Sequence, residues 1–179
     1  QFAAFYTDLG RYQDVAELYV RAARTVRDEA QRADYEVKAG HNYALAGDFV
    51  KGSKILHEAR RMDPDDPAPY TELVKSVLGP AGDFGAAQST VDEGIRRGAD
   101  PYVLELALAN AAGKAGNLEL YENALQRAIH YEPIFGDIMQ LGEFYLTHNR
   151  FERAVLTLQQ ATEMNPTSAA AFFALGRAR

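Results

Sequence analysis

Four histidines, a run of three aspartates and one Asp-Phe-Gly triplet are the places where this 179-residue chain could do chemistry. Asp83-Phe84-Gly85 matches by letter the triplet with which kinases hold magnesium. It lacks the catalytic-loop and strand-lysine companions of that chemistry. Asp83 fits better as a helix cap, with Phe84 filling the first core position of that helix. Asp63, Asp65 and Asp66 flank Pro64. A calcium loop needs ligands at fixed spacings closed by a glutamate, which this run does not have, so it reads as a solvated acidic turn. His41, His57, His130 and His148 are scattered, and none pairs at i, i+4 beside a third ligand. No serine sits in a nucleophile elbow, and no glycine-rich run joins a strand to a helix. Asn165-Pro166-Thr167 is barred from N-glycosylation by its proline. Arg21, Arg24, Arg27 and Arg32 interleave with Asp28, Glu29 and Asp34, as on a solvated helix face. No catalytic, cofactor-binding or metal-ligating residue is therefore assigned. No cofactor is expected, and the chain reads as a binding protein, not an enzyme.

Composition narrows the classes further. Hydrophobic residues make up 47% and charged residues 25%, which excludes wholesale disorder. A net charge of −6 argues against nucleic acid, which calls for a basic stripe. No apolar run approaches the ~18 residues that span a bilayer, so no direct membrane insertion is expected of this stretch. The absence of cysteine excludes disulfides and thiolate metal sites. Thirty alanines and 17 leucines stand against 15 valines plus isoleucines, a bias toward helix. The start at Gln1 reads as mid-helix and the stop at Arg179 follows an apolar stretch. Both are read as cuts in a longer chain.

The elements show themselves through a repeat. A Gly or Asn followed two residues later by an aromatic or Leu recurs at Gly10, Gly47, Gly82, Gly116 and Asn149, at intervals of 37, 35, 34 and 33 residues. Twelve residues after each comes a small residue: Ala22, Ala59, Gly94, Ala128 and Ala161. Pro64, Pro133 and Pro166 follow at seventeen. In between, apolar residues keep a helical period, as in Phe151, Ala154, Val155, Leu158 and Ala161. Gly or Asn supplies the left-handed residue that ends a helix, proline ends the second helix, and small residues let two helices approach. Eleven helices follow, near 1–8, 12–28, 31–45, 49–62, 67–78, 84–97, 102–114, 118–131, 135–147, 151–163 and 167–178.

The pattern resembles the tetratricopeptide repeat (TPR) family. Residues 135–168 carry it as Leu141, Gly142, Tyr145, Asn149, Phe151, Ala154, Leu158, Ala161 and Pro166. Residues 33–66 carry it as Ala39, Gly40, Tyr43, Gly47, Phe49, Gly52, Leu56, Ala59 and Pro64. Residues 67–101 and 102–134 carry it less fully, and partial units occupy 1–32 and 169–179. The resemblance implies an all-α superhelix of antiparallel helix pairs, a single TPR array over 1–179, with each pair's first helix on the concave side. Some positions depart from the family. Tyr121 stands where Ala is preferred and should open its helix pair. Pro80 and one extra residue interrupt Leu78-Gly79-Pro80-Ala81-Gly82 and should end that first helix early. Glu36 and Glu105 stand where a large apolar residue is usual and should weaken local packing. The second helix of the first unit should run from Tyr12 to about Arg27.

The resemblance also implies a function: an adaptor or scaffold that binds a protein or peptide in the concave groove. Carried over residue by residue, the groove positions are Val37, His41, Thr71, Lys75, Leu106, Asn110, Met139 and Glu143, with Phe173 in the last fragment. One family subclass clamps a C-terminal carboxylate with Lys and Asn there. Lys75 and Asn110 are isolated in the sequence and Glu143 has the opposite sign, which argues against that clamp. Val37, Leu106 and Met139 either form an apolar seam for a partner or pack against neighbouring first helices. Two other readings stand beside the adaptor. The stretch could be the accessory part of a larger enzyme, such as a glycosyltransferase or envelope polysaccharide polymerase. It could also self-associate through its C-terminal helix, where Phe172, Phe173 and Leu175 lack a covering partner.

Overall fold

The structure, a computed structural model, describes residues 2–179. Gln1, included in the first expected helix, lies outside them. The regular structure of the described residues is helical: α1 (Phe2–Asp8), α2 (Tyr12–Thr25), α3 (Glu29–Leu45), α4 (Phe49–Met62), α5 (Pro67–Glu72), α6 (Phe84–Arg97), α7 (Pro101–Lys114), α8 (Leu118–Tyr131), α9 (Phe135–Thr147), α10 (Phe151–Met164) and α11 (Ala169–Ala178). A π-helical segment, Leu73–Leu78, continues α5 directly. Two compact units form, residues 1–121 and 122–179, with the division inside α8.

The turns follow from the spaced Gly and Asn residues. Gly10, Gly47, Gly82 and Gly116 have φ between +68° and +83°, and Asn149 has φ +56°. Only such residues enter this region cheaply. After each, the next amide bonds five residues back: Arg11 to Tyr6, Asp48 to Tyr43, Asp83 to Leu78, Asn117 to Ala112 and Arg150 to Tyr145, all at 2.9–3.0 Å. That bond satisfies a carbonyl the helix end leaves free and fixes the hairpin angle. Asp48 and Asp83 then cap α4 and α6, accepting the Lys51 and Ala86 amides at 3.1 and 3.0 Å. Asp83-Phe84-Gly85 is thus spent on a helix start.

In the first unit α3 packs on α2 and α4, and α6 packs on α7 and the π segment. In the second unit α10 packs between α9 and α11. The seam is made by size. A Cβ on Gly40 would stand 2.5 Å from Leu56 Cγ, and one on Gly142 would stand 2.5 Å from Leu158 Cδ2. Leu56 and Leu158 are fully buried, so each glycine makes the room its leucine occupies.

Several departures from the sequence expectations have local causes. α2 stops at Thr25 because Asp28 caps α3, accepting the Gln31 amide at 2.8 Å, and Val26 is extended. α7 starts at Pro101 because Asp100 accepts the Tyr102 amide at 2.9 Å. The helix before Pro80 does not end early. Its extra residue is absorbed as π geometry, with the Gly79 amide reaching Val74 at 2.8 Å. The Tyr121 ring lies over Gly113, where a Cβ would meet Tyr121 Cδ2 at 2.9 Å. A glycine on α7 thus makes room for the oversized residue. Glu105 is 2% exposed. Glu36 borders a 160 Å³ cavity with Arg24, Arg32 and Glu58, and its Oε2 has no hydrogen-bond partner.

Candidate functional site

The face of the first unit formed by α3, α5 with its π segment, and α7 carries three linked cavities. The first, 340 Å³, is lined by Tyr19, Val37, Lys38, His41, Asn42 and Glu72. The second, 460 Å³, shares His41 and Glu72 and adds Leu45, Phe49, Lys75, Ser76, Pro80 and Lys114. The third, 260 Å³, shares Lys75, Pro80 and Lys114 and adds Gly79, Ala111 and Ala115. Each neighbouring pair has walls in common, so the three make one open furrow.

A polar cluster sits between the first two cavities. His41 Nδ1 lies 2.8 Å from Glu72 Oε2, and the Ser76 hydroxyl donates to the same oxygen at 2.8 Å. Ser76 Oγ is 3.4 Å from His41 Nδ1. The hydrogen bond to Glu72 raises the His41 pKa against the effect of burial. Burial pushes the Glu72 carboxyl up, but the bonds from His41 and Ser76 hold it below its usual value. The two side chains form an ion pair when His41 is protonated and a hydrogen bond otherwise. The cluster is not an acyl-transfer triad. Carboxylate and hydroxyl both meet one imidazole nitrogen, whereas a triad sets them on opposite nitrogens.

The expected groove residues divide. Val37, His41 and Lys75 line the furrow. Val37 also packs against Ala44, Leu56, Leu73 and Val77, so part of its surface is spent on neighbouring helices. Thr71 is 7% exposed and its hydroxyl donates to the Ala68 carbonyl at 2.9 Å. Leu106 is half-buried and Asn110 is exposed. In the second unit Met139 packs against Ile138, Ala161 and Ala171, and Glu143 meets Arg177 of α11 at 3.1 Å. Sequence reasoning missed Glu72, Ser76, Phe49, Pro80 and Lys114. Lys114 stands one turn after Asn110 on α7, a spacing that could have found it. The Ser76 position depends on the π segment, which no pattern announced.

No protein-family model matches the chain, and no curated protein matches it. Solved structures do. A thermophilic TPR protein of Thermus thermophilus aligns over 99% of this chain and 95% of its own, with TM-score 0.57 at 18% identity. The fold is that of the tetratricopeptide-repeat proteins. YrrB, described as a TPR protein with an unusual peptide-binding site, aligns over 97% of this chain and 88% of its own, with TM-score 0.51 at 15% identity. PilW, a type IV pilus biogenesis factor, aligns over 99% and 84%, with TM-score 0.56 at 14% identity. Among the described residues no helix is long and apolar enough to cross a membrane.

Proposed function

We propose that this chain is a protein-interaction module, an adaptor or scaffold, that holds an extended segment of a partner protein in the furrow of its first unit. The observation that carries the reading is the continuity of the three cavities along α3, α5 and α7. An extended peptide offers alternate side chains to successive pockets, which is what such a row suits. The TPR fold and the peptide-binding site named for YrrB support it. Val37, His41, Lys75, Leu106 and Asn110 are the contacts we assign in this unit. We assign Met139 and Glu143 to partner contact in the second. Leu45 is 49% exposed, so Leu45→Glu should leave helicity intact and abolish partner capture. Leu106→Glu together with Met139→Glu should also reduce capture, read beside a thermal-unfolding control because Leu106 is half-buried and Met139 packs on Ile138, Ala161 and Ala171. Unchanged capture by both variants would move the site to another face.

A second reading, self-association, has its own observation. Phe172 and Phe173 on α11 are 52% and 70% exposed. Adjacent exposed phenylalanines are unusual unless a partner covers them. Light scattering against concentration checks it. A mass that rises with concentration and stays monomeric in Phe172→Ser/Phe173→Ser supports pairing, and a constant monomer mass removes it.

A further inference from the structure

We infer that the furrow selects a partner segment with an acidic side chain flanked on both sides by apolar ones, seated with its carboxylate between Lys75 and Lys114. The inference rests on the furrow reading above and adds the chemistry of the occupant. Lys75 and Lys114 come from different helices, the π segment and the end of α7, and both line both the 460 Å³ and the 260 Å³ cavity. They therefore bracket the place where one cavity passes into the next. Both are exposed. Neither has an ion-pair partner among the described residues, whereas Lys38 and Lys51 are each tied to an aspartate of their own repeat, at 2.6 and 2.8 Å. The nearby Glu72 acts on Lys75 through its charge, but its Oε2 is held by His41 and Ser76 and it forms no direct ion pair with either lysine. Two lysines without a direct ion pair thus stand in a furrow of a chain whose net charge is −6.

Apolar surface lies on either side of the lysine pair, next to the polar His41, Glu72 and Ser76 of the larger cavity. Ala44, Leu45 and Phe49 line one cavity, and Gly79, Ala111 and Ala115 line the other. An extended segment places residues i, i+2 and i+4 on one face. The fitting pattern is then apolar, any, acidic, any, apolar. Because cavities lie on both sides of the lysine pair, the segment runs through, so the carboxylate is that of an internal Asp or Glu and not of a chain end.

The test is nuclear magnetic resonance mapping of the whole isotope-labelled chain. Three probes are titrated: acetyl-Leu-Ser-Glu-Ser-Leu-amide, its Gln counterpart, and the Gln peptide with a free terminal carboxyl. The Glu peptide should shift amides of Lys75, Gly79, Ala111 and Lys114 and bind about three- to tenfold more tightly than the Gln amide, the size of two exposed ion pairs. The preference should vanish in Lys75→Gln/Lys114→Gln, whose exposed sites leave the fold intact, and weaken in high salt. Equal binding of the Glu and Gln amides at these residues overturns the charge selection while the furrow reading stands. A free-carboxyl Gln peptide that matches the Glu peptide overturns the internal-residue assignment. Shifts confined to other surfaces, or none at millimolar peptide, overturn both readings.

Discussion

Three residues show how single side chains set stability here. Glu36 is 8% exposed with a free Oε2, and burial raises its pKa against the hydrogen bond from Arg32. A carboxyl raised in the folded state costs stability once pH climbs through its folded pKa. Glu36→Met should therefore stabilise the protein by about 1 kcal/mol at neutral pH and by less in acid, read from urea midpoints. His41 behaves in the opposite sense. Its pKa is raised above 6.5 by Glu72, so the pair's contribution is full below that value and is lost as pH rises through the folded pKa. Because His41 is partly exposed, the contribution is only a few tenths of a kcal/mol by analogy with surface pairs. His41→Gln should lower stability at about pH 5.5 and leave it nearly unchanged at about pH 9. Gly40→Ala puts a methyl 2.5 Å from Leu56 Cγ and 3.2 Å from the Gly52 carbonyl. Overpacking of that kind costs about 1–3 kcal/mol, which thermal unfolding would read directly.

At the scale of the element, the helices owe their ends to caps and their association to a few polar ties. Glu122 of α8 is 6% exposed and takes hydrogen bonds from Arg150, from Arg153 of α10, and from the Tyr145 hydroxyl of α9 at 3.1 Å. One carboxylate thereby links three helical segments. Glu122→Ala should destabilise the second unit by about 1–2 kcal/mol, measured as faster amide exchange in α9 and α10. The π segment is the other element-scale feature. Its extra residue lies between Val74 and Gly82, the stretch that positions Lys75 and Ser76 on the furrow. Deleting Pro80 brings the Gly47-to-Gly82 interval to the 34 residues that separate Gly82 from Gly116. The expected outcome is an ordinary α-helix there, with the Gly79 amide bonded to Lys75 in place of Val74, and weaker binding in the furrow. A redetermined structure of the deletion variant checks the first, and the peptide titration checks the second.

At the scale of the whole molecule, stability comes from stacking hairpins that cannot bury their faces alone. Deleting residues 67–101 should abolish cooperative unfolding of the first unit. Val50→Ser, at a position 82% exposed, should shift stability by no more than about 0.5 kcal/mol. The same division separates what sequence and structure each contributed. The amino-acid order alone determined the helix count, the hairpin turns and the small-residue seams. Those are local or periodic properties: Gly10, Gly47, Gly82, Gly116 and Asn149 announce left-handed turns wherever they stand. Folding decided which polar side chains meet. His41 and Glu72 are 31 residues apart in sequence, and Lys75 and Lys114 share a cavity wall from separate helices. Buried Thr71 and furrow-lining Phe49 likewise depend on how far each helix is rotated toward its neighbours, a quantity set by packing and by one absorbed insertion and carried by no motif.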